Sequence, residues 1–230
     1  MTMPSPNWLA DLSRNRLLAE FSMWSADLIH LAADLKRIES HADVLHIDVA
    51  DGHFAPALLF FPDLVARMRK ASTLPIHVHL MVADAILLDQ AEQFAEAGAD
   101  LISVHAENEN AGEALARIKG HGLASGVVLR VETPVAAARP FLGRVDFLTL
   151  LGTAIGVKGQ GLDPTATDRL REAGRYIAEA GKRIVLAADG GIRENTVPLL
   201  RGAGAETVVM GSLAFGAEDL AARMRWLHAL

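Results

Sequence analysis

Leu45-His46-Ile47-Asp48-Val49-Ala50-Asp51-Gly52-His53-Phe54 has the make-up of a buried strand that runs into a turn. Val44, Leu45, Ile47 and Val49 supply the apolar positions, and Asp51-Gly52 marks the turn. Along a strand, residues two apart share a face, so His46 and Asp48 project the same way. An imidazole and a carboxylate side by side at a strand end suit metal ligation or proton transfer. They equally suit a polar pair that merely satisfies itself, so partners elsewhere in the chain have to separate the two readings.

Working outward, strand-like and helix-like segments alternate. Residues 17–23 form an apolar strand. Ser25 then reads as the cap of a helix carrying Leu28, Leu31, Ala32, Leu35 and Ile38. After strand 44–49, Pro62 opens a helix, 75–80 is a strand, and a helix with Leu87, Ala91 and Phe94 stops at Gly98. Strand 101–104 precedes a helix that Asn110 and Glu113 are expected to box. Strands 126–131 and 145–151 follow, then a helix opened by Asp163-Pro164, strand 184–187, a short helix after Asn195, strand 207–210 and an amphipathic C-terminal helix. About eight strands alternating with about eight helices is the pattern of a single α/β domain folded as a (β/α)8 TIM barrel. The expected division is an N-terminal arm over 1–16 and a catalytic barrel over 17–230.

Composition narrows the function. The chain has 230 residues, no cysteine, a formal net charge of −6 and 51% hydrophobic residues. Without cysteine there are no disulfides or thiolate metal sites, which fits a cytoplasmic enzyme. The acidic balance with no basic stripe argues against nucleic-acid binding. No apolar run is long enough to span a bilayer, and Met1 to Arg16 lacks the apolar centre of a secretory leader, so no membrane partner is expected.

In such a barrel, chemistry gathers at the carboxyl ends of the strands. The polar residues there are Ser22 on the first strand, His46 and Asp48 on the second, His79 on the third, His105 and Glu107 after the fourth, and Asp189 on the seventh. His77 shares the face of His79 but lies deeper, where it reads as a core contact. His46, Asp48, His79 and Asp189 offer two imidazoles and two carboxylates, a set suited to one divalent ion such as Zn²⁺, Fe²⁺, Mn²⁺ or Co²⁺. Glycines cluster after the late strands: Gly156, Gly159 and Gly161, then Gly190-Gly191, then Gly211 beside Ser212. Backbone N–H groups there can approach a phosphate closely.

Ser22-Met23-Trp24-Ser25-Ala26-Asp27, the central stretch, His79-Leu80-Met81-Val82, His105-Ala106-Glu107, Gly159-Gln160, Asp189-Gly190-Gly191 and Gly211-Ser212 together resemble the ribulose-phosphate 3-epimerase family from Phe21 onward. The resemblance implies one divalent ion held by His46, Asp48, His79 and Asp189, with Asp48 and Asp189 as the acid/base pair. It implies substrate contacts from Ser22 and His79, and a phosphate held by Gly156, Gly159, Gly191, Gly211 and Ser212. The substrate would be a phosphorylated ketose such as ribulose 5-phosphate, xylulose 5-phosphate or allulose 6-phosphate. The reaction would be epimerisation at C3 through an enediolate, in a homo-oligomer.

The chain departs from the family pattern around the site. The usual Val-Glu-Pro-Gly-Phe-Gly-Gly reads Thr153-Ala154-Ile155-Gly156-Val157-Lys158-Gly159, Ala50 and Leu151 stand where methionines are usual, and Asn-Pro reads Arg130-Val131. Ala50 is expected to leave room, and Arg130 and Lys158 add cations. These changes touch the substrate more than the reaction. The alternatives are a sugar-phosphate-binding paralogue without turnover and another enediolate-forming lyase. Barrel decarboxylases of this type need Asp-x-Lys-x-x-Asp, and the stretch from His46 to Asp51 has no lysine.

Overall fold

The first strand closes the sheet. β1 (Leu18–Ser22) pairs in parallel with both β2 (Val44–Asp51) and β9 (Thr207–Met210). Around the ring between them run β4 (Ile76–Met81), β5 (Leu101–His105), β6 (Ala124–Leu129), β7 (Phe147–Leu151) and β8 (Val185–Asp189), each parallel to its neighbours. A two-residue strand, β3 (Leu58–Leu59), lies antiparallel on the end of β2. The molecule is thus a single (β/α)8 TIM barrel; this computed structural model describes residues 3–230. Met1 and Thr2, the start of the expected arm, lie outside the described residues.

The helices are α1 (Trp8–Asp11), α2 (Leu31–Ile38), α3 (Pro62–Ala71), α4 (Asp84–Glu96), α5 (Ala111–Gly120), α6 (Ala166–Ala180), α7 (Val197–Gly202), α8 (Ser212–Phe215) and α9 (Leu220–His228). Local signals start and stop them. Pro62 sits in the first turn of α3, Gly181 ends α6 at φ 63°, and the Asp219 carboxylate accepts from Ala222 N at 2.8 Å to cap α9. The strands alternate strictly. Outward residues such as Ile47, Val49, Val78, Leu80, Ile102 and Val104 join Leu35, Val65, Leu87 and Leu115 of the helices in one apolar shell. The inward residues make the site. At the amino ends of the strands, inward Leu101, Phe147 and Val185 are covered by Trp8, Leu9 and Leu12, so α1 and its flank plug the barrel floor.

Two local expectations fail. Ser25 caps nothing: it ends a 3-10 turn (Met23–Ser25), α2 starts at Leu31, and Leu28 is 52% exposed. Asp27 organises that loop, accepting from Ile29 N through its side chain, which is why helix formation is delayed. Asn110 precedes α5 but makes no side-chain cap bond; Asp84 Oδ1 accepts from Asn110 N instead. The β6–β7 crossover is a 3-10 helix (Val135–Phe141) because Pro134 and Pro140 deny it α-helical hydrogen bonds. Among the described residues no helix is long and apolar enough to cross a membrane.

Candidate active site

Alternation aims Glu20 and Ser22 of β1, His46 and Asp48 of β2, and His77 and His79 of β4 into the barrel. Register then stacks them in layers, with Ser22 beside His46 and Asp48 beside His79. Asp189, the last residue of β8, arrives from across the mouth. His46 Nε2 lies 3.3 Å from Asp48 Oδ1 and 4.0 Å from Asp189 Oδ2; His79 Nδ1 lies 3.4 Å and 3.8 Å from the same oxygens. One ligand atom from each of the four residues falls within 4.8 Å of all the others. The sequence-predicted quartet is therefore one cluster.

The donor set fits a divalent ion. His46 Nε2 and His79 Nδ1 are both buried and have no hydrogen-bond partner among the described residues, so two imidazole nitrogens aim at the same small space unsatisfied. A second buried group, Glu20, His46 and His77, does not fit in the same way. There His46 Nδ1 and His77 Nδ1 already meet Glu20 Oε2 at 2.9 and 2.6 Å, and His77 Nε2 meets Ser103 Oγ at 2.7 Å.

Burial opposes ionisation of both aspartates, yet the two end up shifted in opposite directions. It opposes ionisation of Asp48, but His46 and His79 outweigh it and hold that carboxyl well below the usual carboxylate range. For Asp189 burial prevails, reinforced by the Asp48 charge, and pushes its pKa up to about 6. Burial also disfavours a charge on His46, yet Asp48 and Glu20 raise it well above the usual imidazole value. Glu107 is held at about 2: burial is overcome by hydrogen bonds from His105, Thr133 and the Arg130 amide.

Above the quartet opens a cavity of about 330 Å³, lined by Ser22, Asp48, His79 and Asp189 and by Gly156, Gly159, Gly191, Gly211 and Ser212. His46 lies beneath its floor, 0% exposed. Ser22 Oγ donates to Asp48 Oδ2 at 2.6 Å while still lining the cavity. Gly191 has φ 69°, and a Cβ there would sit 2.7 Å from Leu162 Cα, so only glycine serves. The two added cations part company. Lys158 lines the cavity, donating to Trp24 O at 2.6 Å with its Nζ 4.6 Å from the Trp24 ring centroid. Arg130 instead stacks 4.1 Å from the Phe54 ring. The room expected beside Ala50 is filled: Met81, Ala55 and Ile155 pack there.

Sequence reasoning missed Glu20, and also Trp24, Met81 and Arg193, which line the cavity. Glu20 hid inside an apolar run. Its signal was its place two residues before Ser22, since a carboxylate within a buried strand must have a partner.

A sheet closed on itself, with imidazoles and carboxylates converging at the carboxyl ends of its strands, defines a barrel of the enzyme type with a cluster that could hold a metal ion. The sequence pattern of the Ribulose-phosphate 3 epimerase family matches residues 18–215. The Bacillus subtilis (strain 168) ribulose-phosphate 3-epimerase is 36% identical over 201 residues, 86% of this chain and 92% of its own length. The Escherichia coli (strain K12) enzyme of the same name is 37% identical over 203 residues, 86% of this chain and 88% of its own. The chain belongs to the ribulose-phosphate 3-epimerase family, and with it to the isomerases. Among solved structures, a 3-hexulose-6-phosphate synthase superposes with a TM-score of 0.64 at 20% identity, covering 93% of this chain and 98% of that one. The orotidine 5'-phosphate decarboxylase of Pyrococcus horikoshii OT3 gives 0.61 at 14%, covering 91% and 97%. These two share the fold.

Proposed function

We propose that the protein epimerises a ketose phosphate at C3, with Asp48 and Asp189 exchanging protons on opposite faces of the carbon. The observation that carries this reading is the convergence of Asp48 and Asp189, from β2 and β8, on one cavity together with two unsatisfied imidazole nitrogens. His46, Asp48, His79 and Asp189 would hold one divalent ion, whose Lewis acidity favours loss of a proton next to a carbonyl. Zn²⁺, Fe²⁺, Mn²⁺ and Co²⁺ all suit two nitrogens and two oxygens.

The residues of the chain do the rest. Asp48, kept ionised by the adjacent imidazoles, accepts the C3 proton. Asp189, which reaches the same cavity from β8, delivers one to the other face. The reverse reaction swaps the roles, and solvent resets both groups between turnovers. Ser22 keeps Asp48 oriented through its 2.6 Å hydrogen bond. Gly156, Gly159, Gly191, Gly211 and Ser212 line the wall where backbone amides would receive the phosphate, with Arg193 alongside. His79 faces both the ion and the sugar. The protein acts on a phosphorylated ketose in the cytoplasm, as a homo-oligomer.

The test is incubation with ribulose 5-phosphate, xylulose 5-phosphate and allulose 6-phosphate in D₂O after metal loading. Deuterium at C3 in substrate and epimer is the expected result; no label from any ketose phosphate refutes the reading. Asp48→Asn and Asp189→Asn should each lower the exchange rate by on the order of 10²–10⁴-fold with the barrel still folded. Near-normal exchange in either variant removes that residue from the proton-transfer role.

A further inference from the structure

We propose that two glutamates below and beside the quartet, Glu20 and Glu107, fix the proton positions of His46 and His79, so that His46 Nε2 and His79 Nδ1 present lone pairs to the cavity floor. They are positioning residues, and the inference rests on the metal reading given above. An ionised carboxylate only accepts hydrogen bonds, so a ring nitrogen hydrogen-bonded to one must carry a proton. That rule, applied outward from each glutamate, assigns every ring.

On one side, Glu20 Oε2 meets His46 Nδ1 at 2.9 Å. Nδ1 is therefore an N–H, and in the neutral ring Nε2 keeps its lone pair. The same oxygen takes His77 Nδ1 at 2.6 Å, which leaves His77 Nε2 to accept from the Ser103 hydroxyl at 2.7 Å. The other oxygen, Oε1, accepts from Thr207 Oγ1 at 3.3 Å. Gly126 makes room for this layer, since a Cβ there would lie 2.0 Å from Ser103 Oγ. Glu20, His46, His77, Ser103 and Thr207 are all at most 1% exposed, so water does not substitute for any of these bonds.

On the other side the chain is longer. Glu107 Oε1 is pinned by the Arg130 amide at 2.9 Å and by the Thr133 hydroxyl. Its Oε2 meets His105 Nδ1 at 3.0 Å, so that nitrogen donates and His105 Nε2 accepts. His79 Nε2 lies 2.9 Å from His105 Nε2 and must then be the donor, which leaves the His79 Nδ1 lone pair facing Asp48 and Asp189. Glu107 thus reaches the cluster through two imidazoles without touching it.

The two glutamates respond differently to amide replacement. In Glu20→Gln the side-chain oxygen can remain between His46 and His77 while the NH₂ turns to Thr207, so the His46 tautomer survives. In Glu107→Gln the Arg130 amide claims the oxygen, and the NH₂ faces His105 Nδ1. His105 must then donate through Nε2, and His79 is forced to protonate Nδ1. The more remote substitution should do the greater damage.

The experiment combines zinc affinity, by competition with a chromophoric chelator, with long-range proton–nitrogen NMR of histidine-labelled protein at alkaline pH. Glu107→Gln should weaken zinc binding about 10–100-fold and move the His79 proton from Nε2 to Nδ1. Glu20→Gln should bind zinc as the parent does, whereas Glu20→Met, which has no acceptor, should lose about 10–100-fold. Parent-like zinc affinity and an unmoved His79 proton in Glu107→Gln overturn the inference. So does a metal-free parent with its proton on His79 Nδ1 or on His46 Nε2, a result that needs no variant to fold. A parent that binds no zinc refutes the metal reading instead, and the tautomers of the metal-free protein still decide the proton ordering.

Discussion

Asp189 carries a cost that Asp48 does not. Asp48 is surrounded by His46, His79 and the Ser22 hydroxyl, while among the described residues the Asp189 carboxylate has no hydrogen-bonded partner and is pushed up to about 6 by burial. A carboxyl with a raised folded-state pKa contributes stability that is fully present below its unfolded value, about 3.9, and is lost as pH climbs through the folded value. At about 1.4 kcal/mol per pKa unit, the loss is on the order of 3 kcal/mol by neutral pH. Asp189→Asn should therefore melt higher than the metal-free parent at pH 7, and the difference should shrink towards zero near pH 4. Thermal unfolding across that range checks it; an equal or lower melting temperature at pH 7 contradicts the assignment. At this scale much of the site was legible, because a period of two and the rule that barrels work at strand carboxyl ends select His46, Asp48, His79 and Asp189 directly. Glu20 was not, because a lone acid in Leu17 to Met23 looks like an accident until its imidazole partners are seen across strands.

The loop between β7 and α6 is the element that adapts this barrel. Ile155 packs with Ala50, Ala55 and Met81 on one side of the mouth, and Lys158 grips Trp24 on the other. The loop crosses against the β2 turn at Gly156, where φ is 70° and a Cβ would sit 2.8 Å from Pro56 Cδ. Gly156→Ala cannot keep that crossing, so KM for the ketose phosphate should rise by about tenfold and the melting temperature should fall by about 2–4 °C. Steady-state kinetics beside a melting curve separate these outcomes; an unchanged KM shows that the crossing is not needed for binding. The sequence pointed to this loop as altered, but not to what fills the space beside Ala50, because that contact joins residues about a hundred positions apart. Element starts were misread where a side chain competes with the helix, as Asp27 does ahead of α2.

Over the whole molecule, alternation puts apolar shell outside the strands and polar chemistry inside them, with Leu101, Phe147 and Val185 clustered at the bottom. Trp8, Leu9 and Leu12 complete that closure from the amino-terminal arm. Trp8→Ala should cost about 2 kcal/mol, or a melting temperature lower by about 4–8 °C, and leave kcat and KM alone because it acts at the opposite end of the barrel. Calorimetry and kinetics on the same sample decide it, and a fall in kcat would mean that the floor and the site are coupled. The barrel itself was readable from strand–helix alternation; the plug was not, since Trp8 and Leu12 sit in a short polar, proline-bearing segment with no period to follow.

Because Trp8, Leu9 and Leu12 cover the floor of the barrel, α1 lies at the opposite end from the cavity. A bead, a dye or another enzyme tethered to α1 would hang behind the molecule. Traffic of sugar through the opening should proceed as freely on an immobilised support as in free solution.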